Sequence, residues 1–230
     1  MPSRSPILRQ TGDLSDLARG RLAAVSREVC FRPRQPLFPQ EEPLQGILWM
    51  GAGMAVKTGV AESGKERVLQ IYREGDIIGL QKLFNGHAPD TFQVMALSHV
   101  RAFAISKQDF LAASRACPEI RFLVMCAAHH QLDQLSDSML VMTSSTALSR
   151  LARLLLDLAP PKADGSWTEL TCLPTHEILA EIIGASRPHT TMLLAELEQR
   201  GSIKRLKPRG IRILADLLHQ VVADEETRVA

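Results

Sequence analysis

A chain of 230 residues with 45% apolar side chains can bury a real core, and its length suits one large domain or two smaller ones. A formal charge of +2 is too small to mark a nucleic-acid binder by itself, so any electrostatic footprint has to be local. No uninterrupted apolar run approaches the ~18 residues of a membrane span, and the opening MPSRSPILRQTG lacks the apolar stretch of an export signal, so the expectation is a cytoplasmic protein with no membrane partner.

From about Phe31 to Phe110 the chain runs in short apolar stretches punctuated by Gly, Pro and charge, such as ILWMGAGMAV and ESGKERVLQIYREGD. That rhythm predicts a small all-β domain, with Gly53, Gly64, Gly75 and Gly79 at chain reversals. Cys30, Cys117, Cys126 and Cys172 form no CxxC pair, which argues against a zinc knuckle or a disulfide frame and for buried free thiols.

After Pro118 the period changes. Met125, Ala128, Leu132, Leu135, Met139 and Met142 follow one another at alternating spacings of three and four, an apolar seam along one side of a long helix. The seam needs a cover, either the chain's own β domain or its twin in a second subunit; the polar neighbours Asp133, Gln134, Ser136 and Asp137 favour the twin. Thr146 suits an N-cap for a second amphipathic helix, ALSRLARLLLDLA, which stops at Pro160 and Pro161, and a hinge is expected between about Met142 and Thr146. PPKADGSWTEL reads as a loop.

Two short helices joined by a tight turn come next. Thr175 caps HEILAEIIG, Gly184 turns the chain, Ser186 caps a second helix to about Gln199, and Gly201 ends it. Leu179, Ala180, Ile182, Ile183, Thr190, Leu193, Leu194 and Leu197 supply inward positions. Arg187, Pro188, Thr191 and Met192 are left facing outward near the start of the second helix, where side chains of a helix-turn-helix meet base edges. Proline is tolerated in a first turn, and Ser186 with its neighbouring amides suits a phosphate. Thr175 and His189, at the two helix starts, complete this part of the candidate set.

RGSIKRLKPRGIRIL follows directly. Arg200, Lys204, Arg205, Lys207, Arg209 and Arg212 lie in a predicted strand, turn and strand with no carboxylate among them. A hairpin wing whose Lys204, Arg205, Lys207 and Arg209 meet a duplex backbone is the natural assignment. No paired acid and base, nucleophile triad or phosphate-cradling glycine loop is present, so an enzyme is not expected.

LPTHEILAEIIGASRPHTTMLLAELEQRG resembles the winged-helix end of the catabolite-activator and fumarate-nitrate-reduction (Crp/Fnr) superfamily of bacterial regulators. Upstream, ESGKERVLQIYREGDIIGLQKLF resembles that family's β-roll, and CPEIRFLVMCAAHHQLDQLSDSM sits where its dimer helix begins. The resemblance spans about Phe31 to Leu214 and implies an α+β chain: a cyclic-nucleotide-binding-type β-roll over 1–116, a dimerisation helix and hinge over 117–145, and a winged helix-turn-helix over 146–230.

It also implies departures. Family members that take cyclic AMP hold it with a glutamate and an Arg-Ser pair; the matching residues are Leu80, Asp90 and Thr91, a poor cradle for an anion, so cyclic AMP in the usual mode is not expected. Gly79 and Gln81 complete this candidate effector pocket. With only Cys30 near the N-terminus no iron-sulfur cluster is expected, and Gln81 stands where haem-bearing members have a histidine, leaving His87, His99, His129 and His130 as alternative ligands. In the recognition helix Pro188 and Met192 replace a glutamate and an arginine of well-known relatives, which implies a different base choice.

The expected function is a homodimeric DNA-binding regulator on a near-palindromic operator, with an unknown small-molecule effector and RNA polymerase as a partner if it activates. The alternatives are a haem or metal redox sensor, or an adaptor acting through protein contacts. A cyclic dinucleotide held by Arg32, Arg34 or Arg73 is a further option for the effector.

Overall fold

The computed structural model describes residues 15–38, 46–60, 66–84, 92–159, 166–206 and 210–229. The chain divides into two compact units, Met1–Gln134 and Leu135–Ala230.

The first unit is built on two antiparallel sheets. Strands β1 (Arg27–Phe31), β7 (Val100–Ser106), β2 (Gly46–Ala52) and β5 (Ile77–Ile78) form one in that order, and β4 (Glu66–Tyr72), β3 (Ala55–Val60) and β6 (Phe92–Ala96) form the other. Strand β2 shows why ILWM reads as unbroken apolar sequence. Leu48 and Met50 point into a core shared with Ala55, Tyr72 and Val94 of the second sheet. Ile47 and Trp49, on the other face, meet a second core built from helices. Those helices are α1 (Asp16–Val25), α2 (Leu80–Phe84), α3 (Lys107–Ala116) and the start of α4 (Pro118–Ser144), through Leu22, Leu83, Phe110, Ile120 and Leu123 among others. The expectation of an all-β segment up to Phe110 is therefore corrected: KQDF opens α3, where Ser106 accepts the Asp109 amide at 3.0 Å as its N-cap.

Glycine is required at two reversals. Gly53 and Gly79 have φ of +88° and +87°, and a Cβ on Gly53 would lie 2.1 Å from the His99 carbonyl oxygen.

The second unit begins on the last turns of α4 and continues with α5 (Ala147–Leu158), β8 (Thr168–Leu170), α6 (His176–Ile182), α7 (Arg187–Gln199), β9 (Ile203–Leu206), β10 (Gly210–Ile213) and α8 (Ala215–Val229). Thr146 caps α5, accepting the Ser149 amide, and its hydroxyl donates to the buried Glu225 carboxylate of α8 at 2.7 Å. Leu148, Leu151, Ala152, Leu155 and Leu158 bury one face of α5, which packs on α8 and α7. The strands form a sheet in the order β8-β10-β9. WTEL, expected as loop, is thus partly strand: Glu169 and Thr168 pair with Arg212 and Ile213. Helix α8 follows the hairpin, within the 146–230 range expected to hold the winged helix-turn-helix.

Candidate nucleic-acid interface

Helices α6 and α7 are held at a fixed angle by backbone hydrogen bonds that the sequence dictates locally. Thr175 caps α6 by accepting the Ile178 amide at 3.3 Å, and Ser186 caps α7 by accepting the His189 amide at 3.3 Å. Between them Ala185 N–H donates to the Ala180 carbonyl at 2.8 Å and Gly184 N–H to Glu181 at 3.3 Å, with Gly184 at φ +63°. This is a Schellman ending, which only a residue at ease with positive φ closes without strain. Helix α7 ends the same way: Ser202 donates to Leu197, Gly201 donates to Glu198, and Gly201 has φ +73°. Arg150 of α5 secures the turn, its Nε donating to the Ile183 carbonyl at 2.7 Å.

One face of α7 is sealed in the core. Thr190, Leu193, Leu194 and Leu197 are buried, and the Thr190 hydroxyl donates to the Ser186 carbonyl at 3.0 Å, so its polarity costs little there. On α6 Leu179, Ala180 and Ile183 are buried, whereas Ile182 is half-buried rather than fully inward. Arg187, Pro188, His189, Thr191 and Met192 are all exposed, and Met192 keeps 69% of its surface in solvent.

Strands β9 and β10 pair in antiparallel register, Ile203 with Ile213 and Leu206 with Gly210, and form the expected hairpin. Its charge differs from the expectation. Arg200 pairs with Glu196, Arg205 with Glu198 at 3.1 Å, and Arg212 with Glu169 at 2.6 Å, so carboxylates from α7 and β8 hold half of the run that looked unopposed. Exposed pairs of this kind contribute little stability, but they fix where the guanidinium groups sit. Lys204 is exposed and has no ion pair among the described residues. Lys207 and Arg209 lie outside the described residues.

The structure also joins residues that spacing does not connect. His176 Nδ1 lies 2.9 Å from Thr191 Oγ1, linking α6 to the outer face of α7. The Thr191 hydroxyl is within 3.0 Å of the Arg187 carbonyl, the acceptor for its single proton, so the imidazole Nδ1 carries the hydrogen of the other bond. Thr175, His176, Leu194, Ile203, Arg205 and Ile211 border a cavity of about 290 Å³ between the start of α6, α7 and the hairpin. Burial first, then the charges of Arg205 and Arg187, lower the His176 pKa below its ordinary 6.5. His176 was absent from the sequence-derived set; it sits at the first position of α6, where only its three-dimensional neighbours reveal it.

In the first unit three of the five candidate effector residues, Gly79, Leu80 and Gln81, lie among the described residues. Gly79 has a backbone conformation that admits little else, and a Cβ there would lie 2.9 Å from the Gly46 carbonyl oxygen. Leu80 is 5% exposed and belongs to the helical core; Gln81 is exposed. Asp90 and Thr91 lie outside the described residues, as does His87. His99 is exposed, and exposed His129 places Nε2 3.3 Å from Asp133. Neither spacing nor motif singles out Lys57 of β3, whose ammonium sits 4.2 Å from the centre of the Phe92 ring, with its pKa lowered by burial.

On α4, Met125 and Leu132 are exposed in the first unit, and Leu135, Met139 and Met142 in the second. Ala128, at the same spacing, is half-buried against the helical core of the first unit. Phe122 and Leu140, which the spacing left out, are 66% and 65% exposed. Of the cysteines, Cys117 is buried, Cys172 is intermediate, and Cys30 and Cys126 are exposed, so the expectation of buried thiols holds for Cys117 alone.

Two family models match the chain: a cyclic nucleotide-binding domain over residues 28–116 and a Crp-like helix-turn-helix domain over residues 149–216. The global nitrogen regulator of Nostoc sp. is 25% identical over 178 residues, covering 75% of this chain and 79% of that protein. The CRP-like cAMP-activated global transcriptional regulator of Mycobacterium tuberculosis is 24% identical over 212 residues, covering 90% and 94%. Among solved structures, FixK2 from Bradyrhizobium japonicum matches with a TM-score of 0.71 at 16% identity, over 86% of this chain and 97% of that one. The c-di-GMP responsive global regulator CLP of Xanthomonas campestris matches with a TM-score of 0.65 at 17% identity, over 86% and 97%. The structural likenesses establish the fold, and the curated relatives are by name regulators rather than enzymes, the Mycobacterium tuberculosis protein a transcriptional one. With a cyclic nucleotide-binding domain preceding a Crp-like helix-turn-helix in one polypeptide, the chain belongs to the Crp/Fnr superfamily of transcription regulators.

Proposed function

We propose that this regulator acts as a homodimer whose two α7 helices enter successive major grooves about 34 Å apart on a near-palindromic operator. One observation carries the reading: a sealed inner face of α7 leaves Arg187, Pro188, His189, Thr191 and Met192 outward beside the cationic hairpin. Arg187 supplies a bidentate donor suited to guanine, and Thr191 or Met192 an apolar contact for a thymine methyl. Thr175, Ser186, Lys204 and Arg205, with Lys207 and Arg209, serve the phosphate backbone.

Pairing through α4 is supported by its exposed Met125, Leu132, Leu135, Met139 and Met142, to which Phe122 and Leu140 add apolar surface. The proposed division is a sensor over 1–116, the pairing helix and hinge over 117–145, and the DNA-binding part over 146–230. An effector at the β domain would act by favouring one arrangement of the pairing helix. Relatives of this chain include a cAMP-activated and a c-di-GMP responsive protein by name. A buried Leu80, rather than a carboxylate, at the ribose position weighs against cyclic AMP in the usual mode. RNA polymerase is the expected partner if the protein activates, in the cytoplasm.

The test is selection of bound duplexes from a randomised library by the full chain, followed by titration of the selected sequence and a scrambled one. A two-fold-related consensus with a dimer in sedimentation is expected. A monomer indifferent to both duplexes at low salt sinks the reading.

A further inference from the structure

The cavity beside α6 has an apolar floor of Leu194, Ile203 and Ile211, and a rim on which His176 and Arg205 meet. With Nδ1 committed to Thr191, the only atom of the His176 ring left to change its protonation is Nε2. Among the described residues, the charged and titratable groups around it come from three elements. Helix α6 carries Glu177 next in sequence, α7 carries Arg187 and His189, and β9 carries Arg205, whose guanidinium is already held by Glu198 of α7. Strand β10 and the segment before α6 contribute uncharged residues, among them Ile211 and Pro174, to the cavity wall.

We propose that His176 is a proton-linked anchor for DNA: a backbone phosphate entering the cleft between α6 and the hairpin accepts a hydrogen bond from Nε2 as that nitrogen takes a proton from solvent. This rests on the DNA-binding reading above. In the free chain burial first, and then the charges of Arg205 and Arg187, disfavour a charged ring, and the neutral form is favoured. A phosphate neutralises that repulsion and rewards the imidazolium, so the complex holds one more proton than its parts. Affinity then rises as pH falls, by up to about tenfold per pH unit while the linkage lasts. Because Nδ1–H continues to donate to Thr191 in both states, the same ring keeps Thr191 in place at the groove-facing surface of α7.

The experiment titrates the full-chain protein against a library-selected duplex of about three helical turns by fluorescence anisotropy, from about pH 8 down to about pH 5.5. Wild type is expected to tighten on acidification, with a salt slope steeper by about 0.9 at the acid end. His176→Gln is expected to lose both effects, His176→Arg to bind tightly at both ends without pH dependence, and His219→Gln, at an exposed position on α8, to behave as wild type. A flat wild-type profile, an unchanged slope in His176→Gln, or loss of the slope in His219→Gln overturns the inference while leaving DNA binding intact. Failure of wild type to bind any duplex at either pH is the separate outcome that removes the DNA reading itself. Melting of His176→Gln at pH 8 matching wild type shows that a lost slope reports the contact rather than the fold.

Discussion

Helices α4 and α7 both place methionine in solvent, Met139 at 73% and Met192 at 69% exposure, but in different company. Around Met139 three exposed residues are apolar again, Leu135, Leu140 and Met142, with exposed Ser136 among them. Around Met192 they are Arg187, Pro188, His189 and Thr191. A run of apolar side chains gains by excluding water and wants another apolar surface, whereas a mosaic of guanidinium, hydroxyl and one thioether suits the mixed edges of a base-pair groove. The inner faces differ less. Leu193, Leu194 and Leu197 anchor α7 much as Ile120, Leu123, Val124 and Ala127 anchor the first half of α4.

The contrast breaks most sharply under charge. Leu135→Asp is expected to abolish dimers in sedimentation and to lower operator affinity by about 10²–10⁴-fold, since each half-site then binds alone. An intact dimer would show that α4 is not the pairing surface. The inner face of α7 is tested next: Leu197→Ala should destabilise the second unit by about 2–5 kcal/mol in denaturant melts, because a fully buried side chain leaves a cavity. The exposed Met139→Ala should change the stability of the isolated chain by no more than about 0.5 kcal/mol. For the outer face of α7, Arg187→Ala should lower discrimination between operator and scrambled duplex by about 1–3 kcal/mol; equal losses on both sequences would remove it from base reading. Lys204→Ala should weaken all duplexes alike and flatten the salt slope by about 0.9.

The smallest effect concerns protons in the absence of DNA. His176 has a folded pKa below 6.5, so an unfolded chain binds its proton first as pH falls. Its contribution to stability is therefore complete above that value and lost as pH drops from 6.5 through the lowered folded value. Melting of wild type against His176→Gln across this window should show the wild type giving up slightly more stability on acidification.

Local signals carried much of this molecule in plain view. Thr146, Thr175 and Ser186 cap their helices, and Gly184 and Gly201 adopt the positive φ that their places after helical runs announce. Such devices close hydrogen bonds within a few residues, so sequence order is enough to read them. Even α3 was announced, by Ser106 three residues ahead of Asp109, although the β rhythm around it masked the signal.

What only the folded chain decided is a matter of meetings across distance. Glu169 reaches Arg212 from another strand, His176 reaches Thr191 from another helix, and Arg205 takes its countercharge from α7. Ala128 follows the seam spacing as faithfully as its neighbours, yet α4 touches the helical core at that point and half-buries it. The sequence alone determined the capped helices α5, α6 and α7, the hairpin after them and the apolar run of α4, because periodicity and capping are properties of neighbouring residues. Which charge is answered, and which apolar face stays open, depends on segments far apart in the chain arriving at one place, and tertiary packing alone sets that.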